Sequence, residues 1–201
     1  MLASVSVETE AVLDMFRQTG AYLQGHFRLT SGLHSPEYLQ CALVLQYPEY
    51  AGILGRQLAD ALQALGHVQR VDVVCSPAVG GLIIGHEVAR DLEARFIFTE
   101  RGPDNRMVLR RGFSVQPGET AVVVEDVITT GGSTLEVVDV LRAAGVNVLA
   151  AGSIIDRSGG KAQVGVARVA LATLQVQTFD PAECPLCAQG IPVVKPGSRP
   201  A

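Results

Sequence analysis

A chain of 201 residues with 48% apolar content suffices for one α/β domain with a substantial core, and no linker or repeat divides it. Its formal charge of −4 argues against nucleic acid or an anionic membrane surface as the main partner, so any anion site is local. Met1 to Glu10 lacks a basic, signal-type leader and no apolar run approaches ~18 residues, which predicts a cytoplasmic protein without membrane spans.

In chain order, Val12, Leu13, Phe16 and Ala21 mark a helix over residues 8 to about 20, interrupted by Gly20 and Gly25. Phe27 to Leu45 alternates short apolar segments with Ser31-Gly32 and Ser35-Pro36, the pattern of extended chain with turns. Ile53, Leu54, Leu58, Leu62 and Leu65 stripe a helix from Pro48 that Gly66 stops. Val71 to Cys75 is a predicted strand, Gly81 to about Leu92 a helix and Arg95 to Thr99 a strand. Ala121 to Val124 is a strand buried on both faces, followed by a helix from Ser133 to Ala144 and a strand from Val146 to Ile155. One or two short strands are expected from Val164 onward, then an irregular tail.

Such alternation predicts an α/β fold with a mostly parallel central sheet flanked by helices. Ligands in these folds lie beyond the carboxyl ends of the strands, so the loops after Cys75, Val124 and Ile155 should share one edge. The expected organisation is one domain: an N-terminal helix and small extended hood over 1–45, an α/β core over 46–175, and an irregular tail over 176–201.

Between the strand at 121–124 and its helix stand Glu125 and Asp126, then Thr129, Thr130, Gly131, Gly132, Ser133 and Thr134. Amides at a helix start are unpaired and partly positive, and glycine admits a close approach, so the small residues suit a phosphate. The carboxylates would repel that phosphate and more naturally accept hydrogen bonds from sugar hydroxyls. A ribose 5-phosphate fits both halves. Solvated acids before a capped helix are the bland alternative for the acid pair taken alone. Ser76 to Gly81 is a second turn of small residues before a helix, suited to another anion. Arg101, Arg106, Arg110 and Arg111 crowd a loop with Gly and Pro over 100–112, either a solvated charged loop or a mobile lid that excludes water. No GxxxxGK[ST] or GxGxxG element stands in the right context, which removes kinase, ATPase and dinucleotide-dehydrogenase readings.

The string from Ala121 to Ser133 resembles, over its whole length, the phosphoribosyl diphosphate (PRPP) motif of type I phosphoribosyltransferases. That resemblance implies their fold, with PRPP bound by Glu125, Asp126, Val127, Ile128, Thr129, Thr130, Gly131, Gly132 and Ser133. Glu125 and Asp126 would hold the ribose hydroxyls and residues 129 to 134 the 5-phosphate. It also implies a diphosphate loop at Ala78, Val79 and Gly80, a Mg2+ cofactor, and a homodimer whose lid can reach the partner's site. Members often carry a lysine where this chain has Gly80, and lysines and a histidine in the lid where it has arginines alone. Asp126, Arg101 and Arg111 are the expected catalytic residues.

Phe27 to Pro36 with Tyr38-Leu39-Gln40, and Ile154 to Ser158, resemble the corresponding segments of the orotate phosphoribosyltransferase family. Orotate is a planar pyrimidine carboxylate, and the planar fork of Arg157 can bind a carboxylate in two parallel hydrogen bonds. Thr129 and Tyr38 complete the orotate site that the resemblance implies, although Thr30 stands where many relatives have lysine. PRPP and orotate are thus the expected substrates, in de novo pyrimidine synthesis. The alternatives are a purine phosphoribosyltransferase and a PRPP-sensing regulator, the latter disfavoured by the acidic charge and the lack of room for a DNA-binding module.

Cys41 and Cys75 lie in apolar stretches, and Cys184-Pro-Leu-Cys187 supplies only half of a tetrahedral metal site. A structural turn with two reduced thiols is the reading favoured over a metal site. His26, His34, His67 and His86 share no ligand spacing and read as structural or surface residues, so no protein metal site is expected.

Overall fold

The computed structural model describes residues 2–29 and 31–196, with the backbone alone over 2–8; Thr30 and the last five residues of the expected tail lie outside the described residues. Helix α1 (Leu2–Gln18) leads to a hairpin of β1 (Tyr22–Arg28) and β2 (His34–Leu39), then α2 (Cys41–Leu45) and α3 (Pro48–Gln63). The core continues through β3 (Val73–Pro77), α4 (Gly81–Asp91), β4 (Arg95–Arg101), β5 (Met107–Leu109), β6 (Thr120–Ile128), α5 (Gly132–Ala143), β7 (Asn147–Asp156) and β8 (Ala167–Thr173). A 3-10 turn (Pro181–Glu183) and the short α6 (Pro185–Ala188) follow.

The main sheet has the order β5-β4-β3-β6-β7-β8 and is parallel except for β5. Its central strand explains the unbroken apolar run. Val122 and Val124 join one core, with Leu54 and Leu58 of α3 and Ile84 and Val88 of α4, whereas Ala121 and Val123 join the other, with Val137, Val138 and Leu141 of α5. Successive strand residues point to opposite faces, so a strand covered on both sides carries no polar alternation. In α3, Pro48 occupies the first turn, where its missing N–H costs nothing. Leu54, Leu58 and Leu62 recur at helical spacing with no exposed surface. Each contributes roughly 1.5–3 kcal/mol by leaving water.

Several boundaries differ from the sequence reading. β3 starts and ends two residues later than expected, and β4 runs on to Arg101. The motif strand does not stop at Val124: β6 continues through Glu125 and Asp126 to Ile128 because it remains laddered to β7, with Glu125 opposite Ser153 and Ile128 opposite Asp156. The arginine loop is largely a hairpin in which β5 pairs with β4. The ends of β3, β6 and β7, adjacent in the sheet, open on one edge as expected.

The β1–β2 hairpin forms a separate two-stranded sheet. The tail is mostly irregular but is fastened to it. Phe27 bridges Val194, His34 bridges Phe179, and the Ser35 hydroxyl donates to the Gln177 carbonyl at 3.0 Å.

Candidate active site

Two adjoining cavities open on this edge, with Leu29 and Tyr38 in the wall of both. The first, about 560 Å³, is bounded by Ala78 and Gly80 from the loop after β3, Glu125 from β6, Ser133 from α5, Arg101 from β4, and Arg28 and Lys195 from the hairpin and tail. The second, about 590 Å³, is bounded by Asp126, Val127, Thr129 and Thr130 from β6 and its loop, Arg157 from the end of β7, and Tyr38. Segments predicted to supply the ribose-phosphate, diphosphate and pyrimidine contacts thus meet at one place.

The acids are held by strand geometry. Glu125 accepts a hydrogen bond at 2.7 Å from the Thr134 hydroxyl, and Asp126 accepts one at 2.9 Å from the Val127 amide. Burial pushes the Glu125 carboxyl up to about 7, with the Asp126 charge adding to the rise while Thr134 and Arg101 oppose it. Burial likewise raises Asp126, against the amides of Val127 and Asp126 itself. Because the folded value for Glu125 lies above its unfolded one, ionising this acid costs folding free energy as pH rises towards about 7, and the protonated form prevails below. If its carboxylate accepts a ribose hydroxyl, PRPP affinity falls as pH drops below 7, approaching about tenfold per unit. Titration calorimetry of wild type and Glu125→Gln should show that slope in the wild type beyond PRPP's own ionisation and not in the variant; equal slopes would contradict the role.

Gly131 has φ 85° and leads directly into the first turn of α5, leaving the amides at that helix start facing the loop. Thr134, grouped at sequence level with the phosphate-wrapping residues, is fully buried and is spent on Glu125. Ile128, expected among the PRPP contacts, turns its side chain into the core and offers only backbone, its carbonyl accepting from the Arg157 amide at 2.8 Å. Val79 is 80% exposed at the crest of its loop, where the Ala78–Val79 peptide is cis. A Cβ on Gly80 would stand 2.5 Å from Asp126 Oδ1, so the two loops approach too closely for any side chain there, including the lysine of relatives.

Arg157 is set by its neighbours. Asp156, with no exposed surface, pairs with Arg168 and accepts from the amide and hydroxyl of Ser158 at 2.7 and 2.6 Å. Burial alone would raise Asp156, but Ser158 and Arg168 outweigh it and hold the carboxyl below its ordinary value. The Arg157 Nε is buried and has no hydrogen-bond partner in the protein, while burial lowers the guanidinium pKa against the favourable influence of Tyr38 and Cys41. A buried, unsatisfied guanidinium in a cavity wall is an anion receptor awaiting its ligand.

The two expected catalytic arginines fare differently. Arg101 lines the first cavity but is held by Glu136 of α5 and by the Asn105 carbonyl. Arg111 does not line it: both its Nε and Nη2 donate at 2.8 Å to Glu100, and it lies over the Phe98 ring. The sequence reading also overlooked Arg28 and Lys195 in the cavity wall. Arg28 was within the segment already singled out, whereas the tail offers no signal that residue 195 returns to the site.

This fold and paired cavity define a phosphoribosyltransferase. The family model for the phosphoribosyl transferase domain matches residues 53–179. The orotate phosphoribosyltransferase of Desulforamulus reducens is 53% identical over 190 residues, covering 94% of this chain and 97% of that protein. That of Pelotomaculum thermopropionicum is 52% identical with the same coverage. A crystal structure of orotate phosphoribosyltransferase from Aeropyrum pernix superposes with a TM-score of 0.67 at 28% identity, over 82% of this chain and 94% of that one. The chain belongs to the orotate phosphoribosyltransferase family.

Proposed function

We propose that Arg157, Tyr38 and Thr129 receive orotate, and that Glu125, Asp126 and the 129–133 loop receive the ribose 5-phosphate of PRPP. The chain transfers that group to orotate, giving orotidine 5-monophosphate and diphosphate, a step of pyrimidine synthesis. The single observation that carries the assignment of sites is the buried, unpartnered Arg157 Nε across a shared wall from the PRPP cavity.

Glycosyl transfer passes through positive charge on the ribose ring. Carboxylates at Glu125 and Asp126 hold the ribose hydroxyls, fix the ring and favour that charge. Amides of the 78–80 loop, with Arg101 and Arg28, stabilise the departing diphosphate. Orotate's ring nitrogen is already acidic, so positioning replaces a strong protein base. Glu125 and Asp126 present oxygen donors on an open wall with room for water and substrate oxygens, which is the set Mg2+ takes. They would hold the ion through water and ribose hydroxyls, and its charge would offset that of the diphosphate.

A homodimer is part of the same proposal. It rests on the family resemblance, with support from Ile53 and Ile83, exposed on the packed helices α3 and α4. Sedimentation as a monomer would remove it. No described helix is long and apolar enough to cross a membrane.

Orotate and uracil differ only by the carboxylate, so their affinities isolate the Arg157 contact. Calorimetry should give tight binding of orotate and little of uracil or adenine. Equal affinity for uracil would contradict the assignment.

A further inference from the structure

The tail has little apolar reason to stay where it is. Ile191, Val193 and Val194 are 39%, 47% and 55% exposed. Yet the segment returns to the β1–β2 hairpin and contributes Lys195 and Pro196 to the first cavity. What lies between is a knot of four side chains. His26 and His34, on the paired strands, meet Cys184 and Cys187 of the C-x2-C turn, and their ligand atoms all fall within 4.8 Å of one another. Both histidines and Cys184 are buried, and Cys187 is at the surface. Two residues set aside at sequence level for lack of ligand spacing therefore complete the half-site set beside them.

The distances suit a tetrahedral ion. Bonds of ~2.3 Å to sulfur and ~2.0 Å to nitrogen separate the ligand atoms of a tetrahedral zinc by about 3.3–3.8 Å. Cys184 Sγ stands 3.5 Å and Cys187 Sγ 3.8 Å from His26 Nε2, and Cys187 Sγ stands 3.4 Å from His34 Nδ1. The two nitrogens, 2.8 Å apart, need to open by about half an ångström. The orienting contact is also present. His26 Nδ1 lies 2.7 Å from the Ile191 carbonyl, which can only accept, so that nitrogen carries the proton and Nε2 turns a lone pair into the cluster. Without an ion, two weakly donating thiols and two imidazoles would be desolvated for little hydrogen bonding. Thiolates and imidazoles in a set of four are the donors of structural zinc.

We propose that His26 Nε2, His34 Nδ1, Cys184 and Cys187 bind one structural zinc ion, which clips the C-terminal tail to the hairpin and so holds Arg28 and Lys195 at the cavity. The ion closes a loop of 158 residues between His26 and Cys184, the work a disulfide would do in an oxidising compartment. It is distant in role from the Mg2+ that accompanies PRPP, having soft ligands and no open position for substrate.

The test uses the full chain, purified without a metal-affinity tag. Elemental analysis should find zinc in one-to-one ratio with protein. Replacement by cobalt(II) should give the intense d–d bands of tetrahedral coordination with thiolate-to-cobalt charge transfer. Stripping zinc with a chelator should open residues 176–196 to protease while the core stays protected. Cys187→Ser, at the exposed ligand, should weaken zinc by at least the ~10–100-fold that loss of even an outer partner costs. His67→Gln, an exposed histidine outside the cluster, should keep full zinc content. Reduced protein that takes up neither zinc nor cobalt, an octahedral cobalt spectrum, or a Cys184–Cys187 disulfide that persists with zinc present would each overturn the proposal.

Discussion

Arg157→Ala is expected to weaken orotate by about 2–5 kcal/mol, a rise in its KM of roughly 30-fold or more, with the KM for PRPP little changed. The reasoning starts from a guanidinium that has left water without finding a protein partner at Nε. Its backbone is fixed by the amide bond to Ile128, and its neighbour Asp156 by Arg168 and Ser158, so the fork is held before ligand arrives. A carboxylate entering the second cavity would receive two parallel hydrogen bonds from a donor already oriented and desolvated. Removing the side chain leaves that carboxylate buried without a counter-charge. The fold should survive, since the Asp156–Arg168 pair that anchors this strand end is untouched. Arg157→Lys should recover little, because a point charge cannot reproduce the fork. Steady-state kinetics with each substrate varied in turn checks the split; an unchanged orotate KM would remove the basis for this acceptor site.

Asp126→Asn should lower turnover by roughly 10²-fold or more, as loss of a positioned electrostatic contact does. The substitution is nearly isosteric and can keep an oxygen for the Val127 amide. What it loses is the charge that favours the positive ribose ring. The same geometry predicts an opposite effect on stability: burial raises the Asp126 pKa, so holding the charge costs folding free energy that the neutral variant escapes. Activity should therefore collapse while the thermal midpoint stays level or rises. Near-normal turnover would contradict the role, and a parallel fall in melting temperature would make it structural.

The sequence carried the centre of the fold well and its edges less so. The run at 121–124 read directly as a doubly covered strand because both cores draw on it. Its continuation through Glu125 and Asp126 was hidden, since charge at a strand end looks like loop until the β7 ladder is seen. The arginine hairpin escaped for a similar reason. Glu100, Arg101, Arg110 and Arg111 follow no period, and only the pairing of Thr99 with Leu109 and Arg101 with Met107 makes the segment sheet. Clustering of the ribose-phosphate and diphosphate loops was legible from parallel-sheet topology. The role of Thr134 as a brace for Glu125 was not, because a small hydroxyl at a helix start serves a phosphate or a carboxylate equally well. His26 and His34 were invisible as a pair: eight residues apart, they meet through the register of an antiparallel hairpin, not through any helical or local ligand spacing.

The most direct measurement of the account mixes purified protein with PRPP and Mg2+ and follows orotate absorbance, with adenine, hypoxanthine, xanthine and uracil as parallel acceptors. Magnesium-dependent consumption of orotate alone, with stoichiometric diphosphate, is the predicted result. Turnover of a purine in its place, or PRPP binding with no turnover of any base, would contradict it.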